Sequence, residues 1–271
     1  MKTIIPALCT FMLLASPQLK AAENAELDCL VRPEMYIDLS SPVDSTLKEM
    51  LVKTGDAITK DQPLVQLESS IEKAKVKLAQ LQAASISEIL NRKTQLKYAK
   101  RNNHRLQALY AKKSISLFEK DKAETEVALA QIELSKAREK KQLAQLSLEQ
   151  AQAELALRTI KSPINGIVVD TYARVGESVT DRTIMKLAQI DPLRVELIAP
   201  AEYFGLIKQD MKVTILPERP ANKTFQATVT VVDQLIDPAS GSFTVRMAVP
   251  NPGDELVGGV NCIARFNFKA P

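Results

Sequence analysis

Through the last third of the chain apolar residues alternate with polar ones: Leu193, Val195, Leu197; Val213, Ile215; Phe225, Ala227, Val229, Val231; Phe243, Val245, Met247; Cys262, Ala264, Phe266. A period of two places each set on one face of a strand. Pro and Gly clusters separate the runs, and a small closed β-barrel over 191–271 suits several short strands of this kind. Glu202 to Lys208, after Pro200, reads as a short helix. Upstream the pattern changes. Between Pro63 and Pro163 about a hundred residues contain neither glycine nor proline. There, 70–113 and 117–157 are rich in Ala, Leu, Lys, Glu and Gln, which lose little rotamer freedom in a helix.

In the second helix Leu129, Ile132, Leu143, Leu146, Ala153 and Leu157 follow a heptad frame. A neighbouring stripe of Leu134, Ala137, Ala144, Leu148, Ala151 and Leu155 keeps the same period. Two adjacent stripes imply contact with more than one helix. The first helix is less regular, because Leu78, Leu81 and Ser85 need a four-residue shift to join Ile89, Leu96, Asn103 and Tyr110. Ser116 and Glu119 form a capping box that starts the second helix, so the chain reverses near Ser114 to Ser116. An antiparallel hairpin over 70–157 follows, each arm reaching roughly 60 Å at 1.5 Å per residue.

Two copies of one β pattern flank the helices. Ser41–Thr59 (SPVDSTLKEMLVKTGDAIT) aligns without a gap to Ser162–Thr180 (SPINGIVVDTYARVGESVT), with Ser41/Ser162, Pro42/Pro163, Gly55/Gly176 and Thr59/Thr180 identical. A duplicated pattern of this length points to two halves of one domain. The expected fold is α+β: a long antiparallel coiled-coil hairpin inserted in a split carrier-type, biotinyl-lipoyl-like β domain (41–69 and 158–190). A small β-barrel follows, to which an N-terminal strand (23–40) returns.

Lys2, the apolar stretch Ile4 to Ala15, and Ala21 and Ala22 read as a cleaved secretory signal over 1–22, with an uncleaved anchor as the other reading. Cleavage leaves Cys29 and Cys262. A disulfide between them is one reading for an exported chain, and two buried small apolar side chains is the other. Composition excludes more than it assigns. A net charge of +4 over 271 residues does not by itself imply a polyanionic partner. There is no tryptophan, His104 is the only histidine, and no nucleophile elbow or phosphate-cradling glycine loop occurs, so no enzyme is expected. No His/Cys/Asp ligand cluster appears and the methionines are scattered, so neither metal nor cofactor is expected. Lys73, in Glu68–Ala74, is the candidate for covalent carriage, but the long helical insertion takes it out of a tight turn.

Around the turn lie Arg101, His104, Arg105, Lys112, Lys113, Lys120 and Lys122, a basic tip without aromatic interleaving, which disfavours nucleic acid. The order of split β domain, helical hairpin and β-rich domain resembles the periplasmic adaptor (membrane fusion, haemolysin-D-like) proteins of tripartite efflux pumps. That family carries Arg-x3-Leu-x6-Ser at the hairpin tip, and Arg105, Leu109 and Ser116 match it. Asp237 to Arg246, Pro250-Asn251-Pro252 and Gly258-Gly259 resemble its barrel signature, with Gly258-Gly259 standing where Pro-Gly is common.

The resemblance implies that Arg105, Leu109 and Ser116 dock onto a TolC-type outer-membrane channel, with Lys112, Lys113 and Ile115 in support. It implies an inner-membrane transporter of the resistance-nodulation-division class as the other partner. It also implies a periplasmic location, held to the inner membrane through that transporter, and a homo-oligomer of six in the assembled pump. The chain ends without room for a membrane-proximal domain, so contact through the barrel and lipoyl domains alone is expected. Two readings from the residues compete with the motif: Leu109 as hairpin core and Arg105 as a solvated face. An exporter driven by an ATP-binding cassette and a non-transport envelope spacer are the alternative functions. Because the first helix is strongly basic and the second carries Glu124, Glu126, Glu133, Glu139, Glu149 and Glu154, neighbouring hairpins are expected to pair basic to acidic faces.

Overall fold

The computed structural model describes residues 25–268; the expected signal peptide lies outside them. In chain order the elements are β1 (Ala25–Ser40), β2 (Leu47–Met50), β3 (Ala57–Ile58), β4 (Pro63–Leu67), α1 (Ser70–Ala84), α2 (Ser87–Ala111) and α3 (Leu117–Ala156). There follow β5 (Thr159–Lys161), β6 (Gly166–Thr171), β7 (Thr183–Pro200), β8 (Lys212–Pro217), β9 (Phe225–Val232), β10 (Ser242–Val249) and β11 (Asn261–Phe266). Two compact units result: the described residues up to Met35 with those from Gln189 onward, and Tyr36–Ala188. Among the described residues no helix is long and apolar enough to cross a membrane.

In the first unit the alternation does what a period of two requires, except at Val231, expected on the inward face, which a β-bulge opposite Arg246 and Met247 turns outward. Leu193, Val195, Leu197, Val213, Ile215, Ala227, Val229, Phe243, Val245, Met247, Ala264 and Phe266 all point into one core. The strands run β11-β8-β9-β10-β7, and β1 pairs with both β11 and β7, closing the barrel. Arg32 and Arg194 of the outer rungs reach Glu196 and Glu34 across that last seam. Cys29 stands directly opposite Cys262 in the β1–β11 register. Their Cα atoms are 4.9 Å apart and the sulfurs are bonded. Asn251, buried in the loop after β10, donates through its side chain to the carbonyls of Ile190 and Leu256 and accepts from Leu256 N–H. The segment after Pro200 is a single 3-10 turn, Ala201–Tyr203, in place of the expected helix to Lys208. Gly205 sits at φ +80, a conformation that ends helical winding.

In the second unit the duplicated pattern becomes a pseudo-symmetric β module. Leu47 N–H donates to Glu177 O (2.9 Å) and its counterpart Val168 N–H to Asp56 O (3.0 Å). Gly176 N–H donates to Leu47 O and Gly55 N–H to Val168 O, both at 2.8 Å. The two turns repeat as well, with Asp56 accepting from Lys53 N–H and Glu177 from Arg174 N–H. Gly55 and Gly176 sit at φ +93 and +90, where an L side chain is strained. Leu47, Leu64, Leu67, Ile160, Val168, Val179, Ile184 and Leu187 fill the shared core.

Between the halves, α1 and α2 both pack along α3. Lys75–Glu154, Arg92–Glu133 and Gln107–Glu124 bridge the arms at base, middle and tip, so the pair is antiparallel. At 1.5 Å per residue the forty residues of α3 extend about 60 Å. The first arm is not the continuous helix expected over 70–113, because Ser85 is extended (ψ 126) and α2 starts at Ser87. The cause is rotational phase. At about 100° per residue a continuous helix would turn Leu96 roughly 140° away from the direction of Ala83, yet both are buried against α3. The break resets the phase where the sequence pattern needs its shift. On α3 the stripe of Leu134, Ala137 and Ala151 is buried, while Leu129, Ile132, Leu143, Leu146 and Leu157 of the heptad frame are exposed. The alanines of the inner stripe let the arms approach with Leu134 packed among them, and the leucines of the outer stripe are left outside.

The hairpin is anchored at its root. Arg158, just past α3, pairs with the buried Glu72 of α1 at 3.0 Å and donates to Asp44 O at 3.1 Å, while Leu67 N–H donates to Arg158 O. Glu68 accepts from the amides of Ser69 and Ser70 and from the Ser70 hydroxyl at the start of α1. The Ser70 hydroxyl, then the Ser70 and Ser69 amides, hold the Glu68 carboxyl at about 2 against an ordinary 4.5. A depressed folded value means that this contribution is complete above the unfolded value and is lost as pH falls through the folded one. Between pH 4.5 and about 2 the thermal midpoint of the parent is therefore expected to fall more steeply than that of Glu68→Gln. The Cys29→Ser/Cys262→Ser pair is expected to lose about 2–5 kcal/mol in denaturant titrations, because the bond closes a loop spanning most of the chain.

Candidate docking site at the hairpin turn

The turn is built from two capping devices. At the end of α2, Ser114 N–H donates to Leu109 O (3.0 Å) and Lys113 N–H to Tyr110 O (2.8 Å). These are the paired bonds of a Schellman motif, with Lys113 at φ +57 where glycine is usual. At the start of α3, Glu119 N–H donates to Ser116 Oγ and Ser116 N–H to Glu119 Oε2, both at 3.2 Å. Between the helices only five residues are non-helical, so the side chains on both sides of the turn are held by helix ends rather than by a mobile loop.

Arg105 lies on α2, exposed and without an ion pair among the described residues. Leu109, one turn nearer the tip, is 41% exposed, so it is not closed into the hairpin core. Ser116 caps α3, Ile115 is half-buried, and Lys112 and Lys113 are exposed. The structure thus puts Leu109, Lys112, Lys113, Ile115 and Ser116 at one end of the helix pair, with Arg105 a turn below. Sequence reasoning missed Leu117 and Phe118, 54% and 76% exposed in the first turn of α3, and the partly exposed Tyr110. Their signal was available: bulky apolar residues directly after an N-cap, ahead of the first buried position at Ala123.

Lys120 supports this end from α3. It pairs with Glu124 at 3.2 Å and sits 5.8 Å over the Tyr110 ring, while Gln107 of α2 donates to the same Glu124 carboxylate. The Glu124 hydrogen bond raises the Lys120 ammonium, and that bond followed by Gln107 lowers the Glu124 carboxyl. The end therefore presents an apolar patch flanked by guanidinium and ammonium donors, an arrangement suited to binding a protein surface. Aromatic and arginine anchors supply most of the affinity where such patches bind.

No family model matches the chain. It is 26% identical over 186 residues to the pyoverdine export membrane fusion protein PvdR of Pseudomonas aeruginosa, covering 67% of this chain and 48% of that protein. To the multidrug resistance protein MexA of the same organism it is 22% identical over 253 residues, covering 88% and 59%. The chain spans about half the length of the curated relatives it matches. Its fold is similar to the crystal structure of MacA from Actinobacillus actinomycetemcomitans, with a TM-score of 0.76 and 22% identity over 91% of this chain and 79% of that one. In sequence the chain is similar to proteins named as membrane fusion proteins, and its fold is that of MacA.

Ser116→Ala is expected to cost about 1 kcal/mol, the usual loss of a serine N-cap. The loss should be confined to the turn, with faster amide exchange at Leu117, Phe118 and Glu119 and an unchanged barrel.

Proposed function

We propose that this chain is a periplasmic adaptor of a tripartite efflux assembly. It joins an inner-membrane transporter of the resistance-nodulation-division class to a TolC-type outer-membrane channel for export of small molecules. On this reading the β module of the second unit is a split lipoyl domain, the helices are its coiled-coil hairpin, and several copies, six in the assembled pump, surround a conduit. The transporter supplies the energy. The adaptor seals the path and meets the channel with its hairpin ends.

One observation carries the reading. In a relative of the membrane fusion proteins, Arg105, Leu109 and Ser116 fall on the end of an antiparallel helix pair, with Leu109 open to solvent and Phe118 beside the cap. Export is supported by the bonded Cys29 and Cys262, since such bonds persist in oxidising compartments. The charged residues flanking the apolar end, Arg105, Lys112, Lys113 and Asp121, favour a specific protein contact over membrane insertion.

Photo-cross-linking in whole cells tests the proposal, with a photo-reactive residue at Lys112. An adduct with an outer-membrane channel is expected, and Leu109→Asp should reduce its yield at least tenfold by burying a charge at the contact. An exported, folded chain that gives no channel adduct would instead favour a spacer.

A further inference from the structure

We infer that the exposed basic face of α2, centred on Lys93, Lys97, Lys100 and Arg101, docks against a carboxylate-bearing helical surface of a protein other than this chain. The inference rests on the docking reading above and names the chemistry of the partner. Residues 87–138, the outer part of the hairpin, hold twelve Lys and Arg against six Asp and Glu, an excess of six positive charges in a chain whose net charge is +4. Helix α2 alone holds six basic residues against Glu88.

Little inside the molecule offsets them. Glu88 and Glu133 pair with Arg92, Glu133 also with Lys136, and Asp121 and Glu124 with Lys120. Glu119 is held by the Ser116 cap. Among the described residues of this stretch, Glu126 is the one carboxylate left without a partner. Among the described residues Lys93, Lys97, Lys100, Arg101 and Arg105 have no ion pair.

This weighs against the expectation that neighbouring copies pair basic to acidic faces along this stretch. A second copy lying alongside at the same height would offer residues 117–138 of α3, with four basic residues against five acidic ones and only Glu126 free. One free carboxylate is too few to offset the unpaired cations of α2.

Geometry narrows the remaining choice. Lys93, Lys97, Lys100 and His104 recur every three to four residues, about 5.5 Å of rise per rung, which is the recurrence of side chains along another helix lying beside this one. Tyr98, 59% exposed, and Lys100, Arg101, His104 and Arg105 line an open cleft on the same face. Like charges at this spacing repel, so the isolated helix carries a strain that acidic side chains relieve on docking. The contact is exposed, and salt screens it.

The test places a photo-reactive residue at Lys97 in whole cells and maps the adduct to residues by mass spectrometry. The expected adduct falls on a helix of another protein with Asp or Glu at three- to four-residue spacing. Its yield should drop about tenfold in Lys93→Glu/Lys100→Glu and less in Lys93→Gln/Lys100→Gln, as for charges that steer association. Both variants change exposed positions, and unchanged circular dichroism would exclude misfolding as the cause. An adduct with a second copy, with a phosphate-bearing lipid or glycan, or with a yield indifferent to charge reversal would overturn the inference. So would no adduct at Lys97 beside an intact channel adduct at Lys112, which leaves the proposed function standing. Loss of both adducts in the unmutated chain would overturn the proposed function itself.

Discussion

The four backbone hydrogen bonds that exchange Leu47 and Gly55–Asp56 with Val168 and Gly176–Glu177 govern the second unit. They bring together two segments separated in sequence by all three helices, and the module has a core only when both halves are present. Closing such a long insertion costs loop entropy that grows slowly with length, and helical pairing of the insertion removes most of the chain freedom at issue. Once Leu67 N–H has bonded to Arg158 O, the ends of the arms are fixed side by side, and the insertion can fold only as a hairpin.

From that root the arms are a compromise between packing and reach. Ala79, Ala83, Ala99, Ala123, Ala137 and Ala151 keep the helices close, and the Ser85–Ile86 break restores the phase of the first arm against the unbroken second one. The price is a seam with few large buried side chains. Arg158–Glu72 at the base and Gln107–Glu124–Lys120 near the turn add polar fixings at both ends. A buried ion pair such as Arg158–Glu72 adds little net stability, but it penalises any arrangement that separates its partners. It sets the direction in which the arms leave the β module.

Exposed apolar side chains are spread along the whole hairpin, with Leu143 and Leu146 toward the root, Leu129 and Ile132 at the height of α2, and Leu117 and Phe118 at the turn. The unpaired basic residues, by contrast, are concentrated on α2, and the near-neutral α3 opposite does not offset them.

Much of this was legible in the residues. Alternation from Leu193 to Phe266 named the barrel core because a period of two has one solution in a sheet with one dry face. The Ser116–Glu119 box marked the turn because its bonds are local, and the aligned halves announced one shared core because their turns repeat in spacing and in residue type around an identical glycine. The resemblance to membrane fusion proteins, carried by the same residues, is borne out by the relatives. What the sequence left open depended on contacts between distant segments. Which of two stripes on α3 faces its partner was decided by the close approach that alanines permit. The first arm breaks because its inward positions must answer to α3, a constraint no local pattern contains. Cys29 and Cys262 are bonded because β1 and β11 share a register, and Phe118 is exposed because nothing among the described residues reaches over the end of the hairpin to cover it.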